Sequence, residues 1–193
     1  MAHLLRKMLI LLAMPAVLVG CVGSVSGVLD VANKATAPVP PKLVAEMHKK
    51  GMSISDPILV RIFKEESELE IWKRDRTGRY ALLKTYPMCR WSGQLGPKKK
   101  SGDRQAPEGF YQVSAGMLNP TSLYYLSFNL GYPNRLERAL GYEGEALMVH
   151  GACSSSGCFA MTDEGVAEIY AVARDAFKGG QPAFQVQAFP FRM

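Results

Sequence analysis

The sequence predicts a mainly β fold of the α+β class, in which a curled sheet or sandwich carries one packed helix. Short runs of β-branched and aromatic residues, separated by turn residues, recur from Pro57 to Phe128 and indicate a β-meander. A single long amphipathic pattern begins after Thr162, and an alternating segment closes the chain. Because strands and helices do not alternate regularly, we do not expect a doubly wound α/β fold.

The composition is that of a folded chain with one main domain. The protein has 193 residues, of which 48% are hydrophobic and 21% are charged, a balance that excludes an intrinsically disordered protein. No segment repeats at a fixed period, which excludes solenoids and propellers. The net charge of +6 is modest and spread along the chain, so no nucleic-acid partner is expected.

The N-terminus has the pattern of an export signal. Arg6 and Lys7 supply positive charge, and residues 8–19 form an apolar run that is too short to span a bilayer comfortably. We therefore predict a signal peptide over residues 1–20 and a mature protein in the periplasm. Export places the remaining cysteines in an oxidising compartment.

Residues 18–21, with the sequence LVGC, resemble a bacterial lipobox. The resemblance implies that Cys21 is acylated after cleavage and that its lipid chains hold the domain at a membrane surface. Val22 is not an acidic retention residue, which favours the outer membrane over the inner one. The alternative is a plain signal peptide cleaved nearby, with Cys21 an ordinary residue. The weakly patterned residues 21–40 are predicted to form a lipidated tether.

A short helix and a linker are predicted at residues 41–56, ahead of a main domain at residues 57–193. Pro41 suits a first helical turn and Gly51 a C-cap, so the helix is expected over residues 41–50. In the main domain, β-branched and aromatic runs predict strands at residues 58–63, 68–73, 79–85, 109–115, 123–128, 146–150 and 183–189.

One long helix is predicted to follow Thr162, which suits the N-cap and precedes two acidic residues in the first turn. Its apolar stripe should pack against the sheet and consists of Val166, Ile169, Tyr170, Ala173 and Phe177. Residues 93–107 are predicted to form a polar loop, in which the lysines at 98–100 are expected to be solvated. A helical turn is expected near residues 136–140.

His150 and Cys158 are the candidate catalytic residues. His150 ends a short apolar strand, and a loop of small residues leads from it to Cys158, just upstream of the predicted helix. A nearby imidazole and a helix N-terminus both lower the pKa of a thiol, and the thiolate is a nucleophile. The backbone amides of Gly157 and Cys158 are expected to line an oxyanion hole.

Two other interpretations of this segment remain. One is a structural loop with a buried cysteine. The other is a zinc ion held by His150, Cys153 and Cys158, but the sequence offers no second histidine nearby to complete the shell. We therefore expect neither a metal site nor a cofactor.

The order His-Gly followed by Ser-x-Gly-Cys over residues 150–158 resembles the signature of the YkuD-type L,D-transpeptidase catalytic domain family. Residues 102–111 resemble the Pro-x-Gly-x-Tyr/Phe motif that begins a strand in this family. Longer matches, to the YafK-like branch, cover residues 61–66, 89–93, 124–128 and 157–163. The resemblance extends from about Pro57 to the C-terminus and implies the YkuD catalytic fold for residues 57–193.

The resemblance also implies roles for single residues. Cys158 attacks a peptidoglycan stem peptide at diaminopimelate and forms a thioester, and His150 is the general base and then the acid. Gly151 helps to orient the imidazole, and Gly157 belongs to the oxyanion turn with Ser156. The YafK-like branch is associated with hydrolysis of the amide between diaminopimelate and an outer-membrane lipoprotein, whereas the wider family builds such links and 3–3 cross-links.

Three functions therefore remain as alternatives: a transpeptidase, an amidase, and a non-catalytic lipoprotein that binds peptidoglycan. The sequence departs from the family at Ser156, where histidine is common, and at Ala160, where arginine or asparagine is common. The contact with a substrate carboxylate is therefore either missing or supplied by Arg90 or Arg104, which can bind a carboxylate bidentately. Tyr124 is a further candidate for the cleft.

Cys89 and Cys153 are expected to form a structural disulfide, because this pairing leaves Cys158 free to react. Pairing of Cys153 with Cys158 is the alternative, and it would inactivate the enzyme.

Overall fold

Two five-stranded sheets form the framework of the protein in a computed structural model that describes residues 33–193. The predicted signal peptide and Cys21 lie outside the described residues. In chain order the strands are β1 Ile58–Phe63, β2 Glu68–Arg74, β3 Tyr80–Pro87, β4 Arg90–Trp91, β5 Gly109–Ser114, β6 Leu118–Asn119, β7 Ser127–Asn129, β8 Met148–His150, β9 Phe159–Ala160 and β10 Ala183–Phe189. The α-helices that follow residue 40 are α1 Pro41–Lys49, α2 Arg135–Ala139 and α3 Asp163–Lys178.

The larger sheet has the order β3-β2-β1-β10-β5 and contains the predicted meander β1-β2-β3. Its neighbouring strands are antiparallel except for β1 and β10, which run parallel. The smaller sheet has the order β4-β9-β8-β7-β6, and only β8 and β9 are parallel. The mainly β α+β prediction is thus confirmed.

Helix α3 packs against the core as predicted. The Thr162 hydroxyl accepts a hydrogen bond from the Gly165 amide at 2.9 Å, which is the expected N-cap. Val166, Ile169 and Ala173 are fully buried. Burial of this stripe removes apolar side chains from water, and each large one contributes roughly 1.5–3 kcal/mol.

The structure shortens two of the predicted strands. Residues 123–126 form a turn ahead of β7, in which Tyr124 donates its amide to the Ser122 hydroxyl at 3.1 Å. Tyr125 has a φ of 67°, which no strand tolerates. Ala146 has a φ of 55°, so β8 begins only at Met148. The sequence pattern did not predict β4, β6 and β9, because two residues are too few to show a period.

Part of the predicted tether belongs to the packed domain. Residues 33–36 are helical. The carbonyls of Ala35 and Ala37 each accept a hydrogen bond from the Arg174 guanidinium on α3 at 2.8 Å, and Val39 is buried. The rest of the tether lies outside the described residues.

Lys64 and Lys98 are buried beneath the polar loop at residues 93–107, so the prediction of solvated lysines at 98–100 is wrong for Lys98 and confirmed for Lys99 and Lys100, which are exposed. Lys64 donates to the carbonyls of Gln94, Gly96 and Ala106 and pairs with Glu108 at 2.8 Å. The Lys98 side chain is only 4% exposed and forms an ion pair with Asp103 at 2.5 Å. The sequence does not reveal that Lys98 is buried, because its burial depends on where the loop places Asp103.

The bonds to Asp103 also explain its acidity. Burial raises the pKa of this carboxyl, but hydrogen bonds from Lys98 and from three backbone amides prevail and hold the pKa well below its usual value.

Within residues 33–193, no helix has the length and apolar character needed to cross a membrane.

Candidate active site

The register of the smaller sheet brings His150 and Cys158 to the same face. Paired residues on neighbouring strands point their side chains the same way, and one such row contains Asn119, Ser127, His150, Ala160 and Arg90. The adjacent row on the opposite face contains Leu118, Phe128, Val149, Phe159 and Trp91, mostly buried in the core. The sheet therefore divides into a core face and a face that carries the candidate chemistry.

Cys158 directly precedes β9 and belongs to this second face. The parallel register of β8 and β9 extends to it, because the Met148 amide lies 3.4 Å from the Cys158 Sγ. Cys158 is thus one strand away from His150 and offset by two residues. Strand spacing and rise place such Cβ atoms roughly 8 Å apart, a separation within which an imidazole and a thiol can interact.

The His150 ring is fixed in a defined tautomer. Its Nδ1 lies 2.6 Å from the Gly151 carbonyl oxygen. A carbonyl can only accept, so Nδ1 carries the proton and Nε2 keeps a lone pair. The Tyr124 ring packs against the imidazole with a centroid distance of 4.6 Å. Burial lowers the pKa of His150, which the bond to Gly151 partly opposes, so the neutral base is favoured.

Gly151 is tightly surrounded, so a side chain in this position would displace its neighbours. A Cβ would lie 2.5 Å from Asp163 Oδ1 and 3.0 Å from the Tyr124 carbonyl oxygen. The Gly151 amide donates to the carbonyls of Tyr124 and Leu126, which ties the histidine to the turn at residues 123–126. The residue expected to orient His150 thus contacts it through its carbonyl.

The structure corrects the expectation that the pKa of Cys158 is lowered. Burial raises the pKa of this thiol, and the Met148 amide and the charge of Lys98 oppose the shift only in part. Strand β9 separates Cys158 from the N-terminus of α3, so the helix does not lower the pKa as expected. Without a bound substrate, the site therefore favours a neutral Cys158 thiol and a neutral His150 imidazole.

Two serines bond the amides that were expected to form the oxyanion hole. The Gly157 amide donates to the Ser92 hydroxyl, and the Cys158 amide donates to the Ser155 hydroxyl at 3.1 Å. Ser155 in turn donates to the Cys158 carbonyl at 2.7 Å. Ser155 is the serine of the Ser-x-Gly-Cys signature and Ser92 lies in the family match at residues 89–93, but the sequence analysis gave neither of them a role. Ser92 lies far from Gly157 in the chain, and no local signal joins them.

A disulfide joins Cys89 to Cys153 and leaves Cys158 as a free thiol. It connects the residue before β4 to the loop between the two candidate catalytic residues. In the same loop the Ala152 amide donates to Asp163 Oδ1 at 2.8 Å. Ala152 and Cys153 have φ values of 64° and 46°, a conformation that the disulfide and the hydrogen bonds hold in place.

The remaining predicted residues lie around this centre at different distances. Gly157 is buried with a φ of 118°, which favours glycine, and a Cβ added there would lie 4.0 Å from the Arg104 carbonyl carbon. Arg104 and Ser156 are exposed. Arg90 is exposed on the same sheet face as His150, across from Ala160. The structure gives neither arginine a contact with His150 or Cys158.

A pocket of about 600 Å³ lies beside the thiol, and no sequence pattern predicted it. Ala146 and Met148 line the pocket, and their backbones contact the thiol: the Ala146 carbonyl lies 3.8 Å from Sγ and the Met148 amide 3.4 Å. Asn119, Asn129 and Glu145 also line it. These residues come from separate segments of the chain, so no motif could have grouped them.

The chain belongs to the YkuD family, described as the L,D-transpeptidase catalytic domain, which matches residues 58–179. This family acts on peptidoglycan. The chain is 42% identical over 189 residues to the Escherichia coli (strain K12) protein named "Putative L,D-transpeptidase YafK". The match covers 98% of this chain and 72% of that protein, and the same figures hold for the protein from Escherichia coli O157:H7. The predicted family and its YafK-like branch are confirmed.

Solved structures support the fold. The helical cell shape determining protein Pgp2 from Campylobacter jejuni superimposes with a TM-score of 0.56 at 19% identity, and a point mutant of it does so with 0.56 at 21% identity. Each match covers 78% of this chain, which spans just over half of those chains, 56% and 54%. The similarity shows the YkuD-type fold.

Proposed function

We propose that this protein is an exported cysteine acyl-transfer enzyme that acts on peptidoglycan stem peptides at diaminopimelate. The observation that carries the proposal is the placement of His150 and Cys158 on one sheet face, with the unprotonated Nε2 of His150 available as a base. Membership of a family that acts on peptidoglycan supplies the substrate class.

The reaction begins with the neutral pair. His150 Nε2 takes the proton from the Cys158 thiol as Sγ attacks the carbonyl carbon of diaminopimelate, which gives a tetrahedral oxyanion. The imidazolium then donates that proton to the departing amine, and the carbon–nitrogen bond breaks to leave a thioester on Cys158. Water or a second amine attacks the thioester, loses its proton to His150 and releases the thiol.

The acceptor decides between the two catalytic alternatives. Attack by water makes the protein an amidase, which trims stems or releases a bound lipoprotein. Attack by an amine makes it a transpeptidase, which agrees with the name of the relative YafK, whereas the hydrolysis associated with the YafK-like branch favours the amidase. Both outcomes use the same thioester.

Export and lipid attachment at Cys21 form part of the proposal. The Cys89–Cys153 disulfide supports an oxidising compartment, since such bonds persist in the periplasm. We expect palmitate to label the full chain and the label to disappear in Cys21→Ser. Labelling that persists in Cys21→Ser would contradict attachment at this residue.

The test of the chemistry compares the protein with its Cys158→Ala variant on purified sacculi, both bare and lipoprotein-bearing. Released lipoprotein or shortened stems, detected by mass spectrometry with the wild type only, indicate an amidase. New 3–3 cross-links or exchanged terminal residues indicate a transpeptidase. Identical products from the wild type and the variant would contradict the catalytic proposal and favour a peptidoglycan-binding lipoprotein.

A further inference from the structure

The pocket beside Cys158 carries two unused side-chain amides. Asn119 Oδ1 accepts the amide and the hydroxyl of Thr121 at 3.0 and 3.1 Å, and Asn129 Oδ1 accepts the Gly131 amide at 2.8 Å. These bonds fix the orientation of both amides, because only the oxygen can accept. Neither NH₂ group forms a hydrogen bond within residues 33–193, so both are free to donate to a bound anion.

Glu145 supplies the opposite charge at the same pocket. It is the only charged residue among the described residues that line the pocket. Its carboxylate is exposed, and within residues 33–193 it forms no ion pair or hydrogen bond. The backbone on both sides is anchored, since Glu143 donates its amide to the Lys99 carbonyl at 3.0 Å and Leu147 accepts from the Leu130 amide at 2.9 Å.

The pocket is also placed for a substrate bound to the thiol. Ala146 follows Glu145 directly, and its carbonyl is within 3.8 Å of the Cys158 Sγ. Asn129 pairs with Met148, whose amide contacts the same sulfur. The φ of 55° at Ala146 is a strained conformation of the kind that persists where the surrounding structure holds a functional site.

We propose that this pocket binds the free amino-acid end of the acyl donor, with its ammonium on Glu145 and its carboxylate on the Nδ2 groups of Asn119 and Asn129. The Glu145 carboxylate and the two asparagine NH₂ groups match a zwitterion, which carries an ammonium and a carboxylate on one carbon. A ligand that carries only a carboxylate would be repelled by Glu145. Diaminopimelate ends in such a group, and Met117 and Met148 offer an apolar wall to its methylenes. The inference rests on the proposed function, since it names the part of the substrate that this site selects.

The test measures binding in the Cys158→Ala variant, which holds the substrate without turnover. The ligands are a stem peptide with a free diaminopimelate end and the same peptide with that amine acetylated. We expect the free end to bind about tenfold more tightly, and addition of Glu145→Gln to remove most of this preference. Addition of Glu143→Gln, the matched control outside the pocket, should leave the preference unchanged.

The carboxylate half is tested with a peptide whose free carboxyl is amidated. Asn119→Ala combined with Asn129→Ala should remove most of the preference for the carboxylate, while thermal unfolding of the variant stays near that of Cys158→Ala. Equal binding of the free and acetylated peptides by Cys158→Ala would overturn the inference. A preference that survives Glu145→Gln would overturn it as well.

The proposed acyl transfer and the proposed pocket assignment can be contradicted separately. Selective binding that depends on Glu145, together with no Cys158 adduct in the wild type, would contradict acyl transfer and leave the pocket assignment standing. An adduct on Cys158 that forms equally well from both peptides, with equal binding, would contradict the pocket assignment and leave acyl transfer standing.

Discussion

Gly151→Ala is a small substitution that the structure predicts to destabilise the protein and to disturb the candidate active site. The added Cβ would lie 2.5 Å from Asp163 Oδ1 and 3.0 Å from the Tyr124 carbonyl oxygen, where ordinary contacts begin near 3.4 Å. Asp163 must therefore move by almost an ångström. That shift breaks its 2.8 Å hydrogen bond from the Ala152 amide.

The cost follows from these two effects. Overpacking costs typically 1–3 kcal/mol, and the lost hydrogen bond adds roughly 0.5–1.5 kcal/mol, so we expect about 2–4 kcal/mol of destabilisation. In a domain of this size the melting temperature should fall by roughly 5–15 °C. The Gly151 carbonyl would also shift, and misplacement of the imidazole by an ångström can reduce activity about 100-fold.

Thermal unfolding and the rate of Cys158 acylation measure the two parts of this prediction. Gly116→Ala is the control for stability, because its Cβ would meet open space, and it should change stability by no more than about 0.5 kcal/mol. If Gly151→Ala has the stability and the acylation rate of the wild type, the assigned packing around His150 is wrong.

Three further predictions concern the surroundings of the thiol. Because burial raises the pKa of Cys158, its thiolate fraction at pH 7 is small. The rate at which iodoacetamide alkylates Cys158 should therefore keep rising beyond pH ~8.5. A plateau below pH 7 would show a preformed ion pair of thiolate and imidazolium. Lys98→Met removes the buried ammonium that pairs with the more exposed Asp103, so we expect a loss of roughly 1.5–3 kcal/mol in chemical denaturation and a higher pKa of Cys158; unchanged values would refute both effects. Joint replacement of Cys89 and Cys153 by serine removes a cross-link between residues that are 64 positions apart, and it should lower the free energy of unfolding by about 2–4 kcal/mol. Equal stability of the oxidised wild type and the variant would contradict a structural role of the disulfide.

Local patterns were enough to predict much of the fold. The strands of the larger sheet and helix α3 occur close to their predicted positions, because their alternation and the Thr162 cap are properties of neighbouring residues. The turn at residues 123–126 was missed because its aromatic composition is that of a strand. A hydrogen bond from Tyr124 to Ser122 and the positive φ of Tyr125 override that preference.

The candidate site likewise contains some residues that the sequence predicts and others that it does not. His150 and Cys158 stand out because few residues of these types exist and a short segment contains both. The bond between Ser92 and the Gly157 amide and the pocket with Glu145 depend on contacts between distant segments, and the burial of Lys98 depends on how its loop folds. A single sequence carries no signal for such contacts.

Intact-protein mass spectrometry of the wild type, quenched in acid after brief incubation with a stem peptide, tests the assignment of Cys158 as the nucleophile most directly. We predict a mass increase equal to the acyl donor without its departing amine, located on Cys158 by peptide mapping. The adduct should be absent in Cys158→Ala and at least about 100-fold slower to form in His150→Ala. An adduct on another residue, or turnover that persists without Cys158, would contradict the assigned nucleophile.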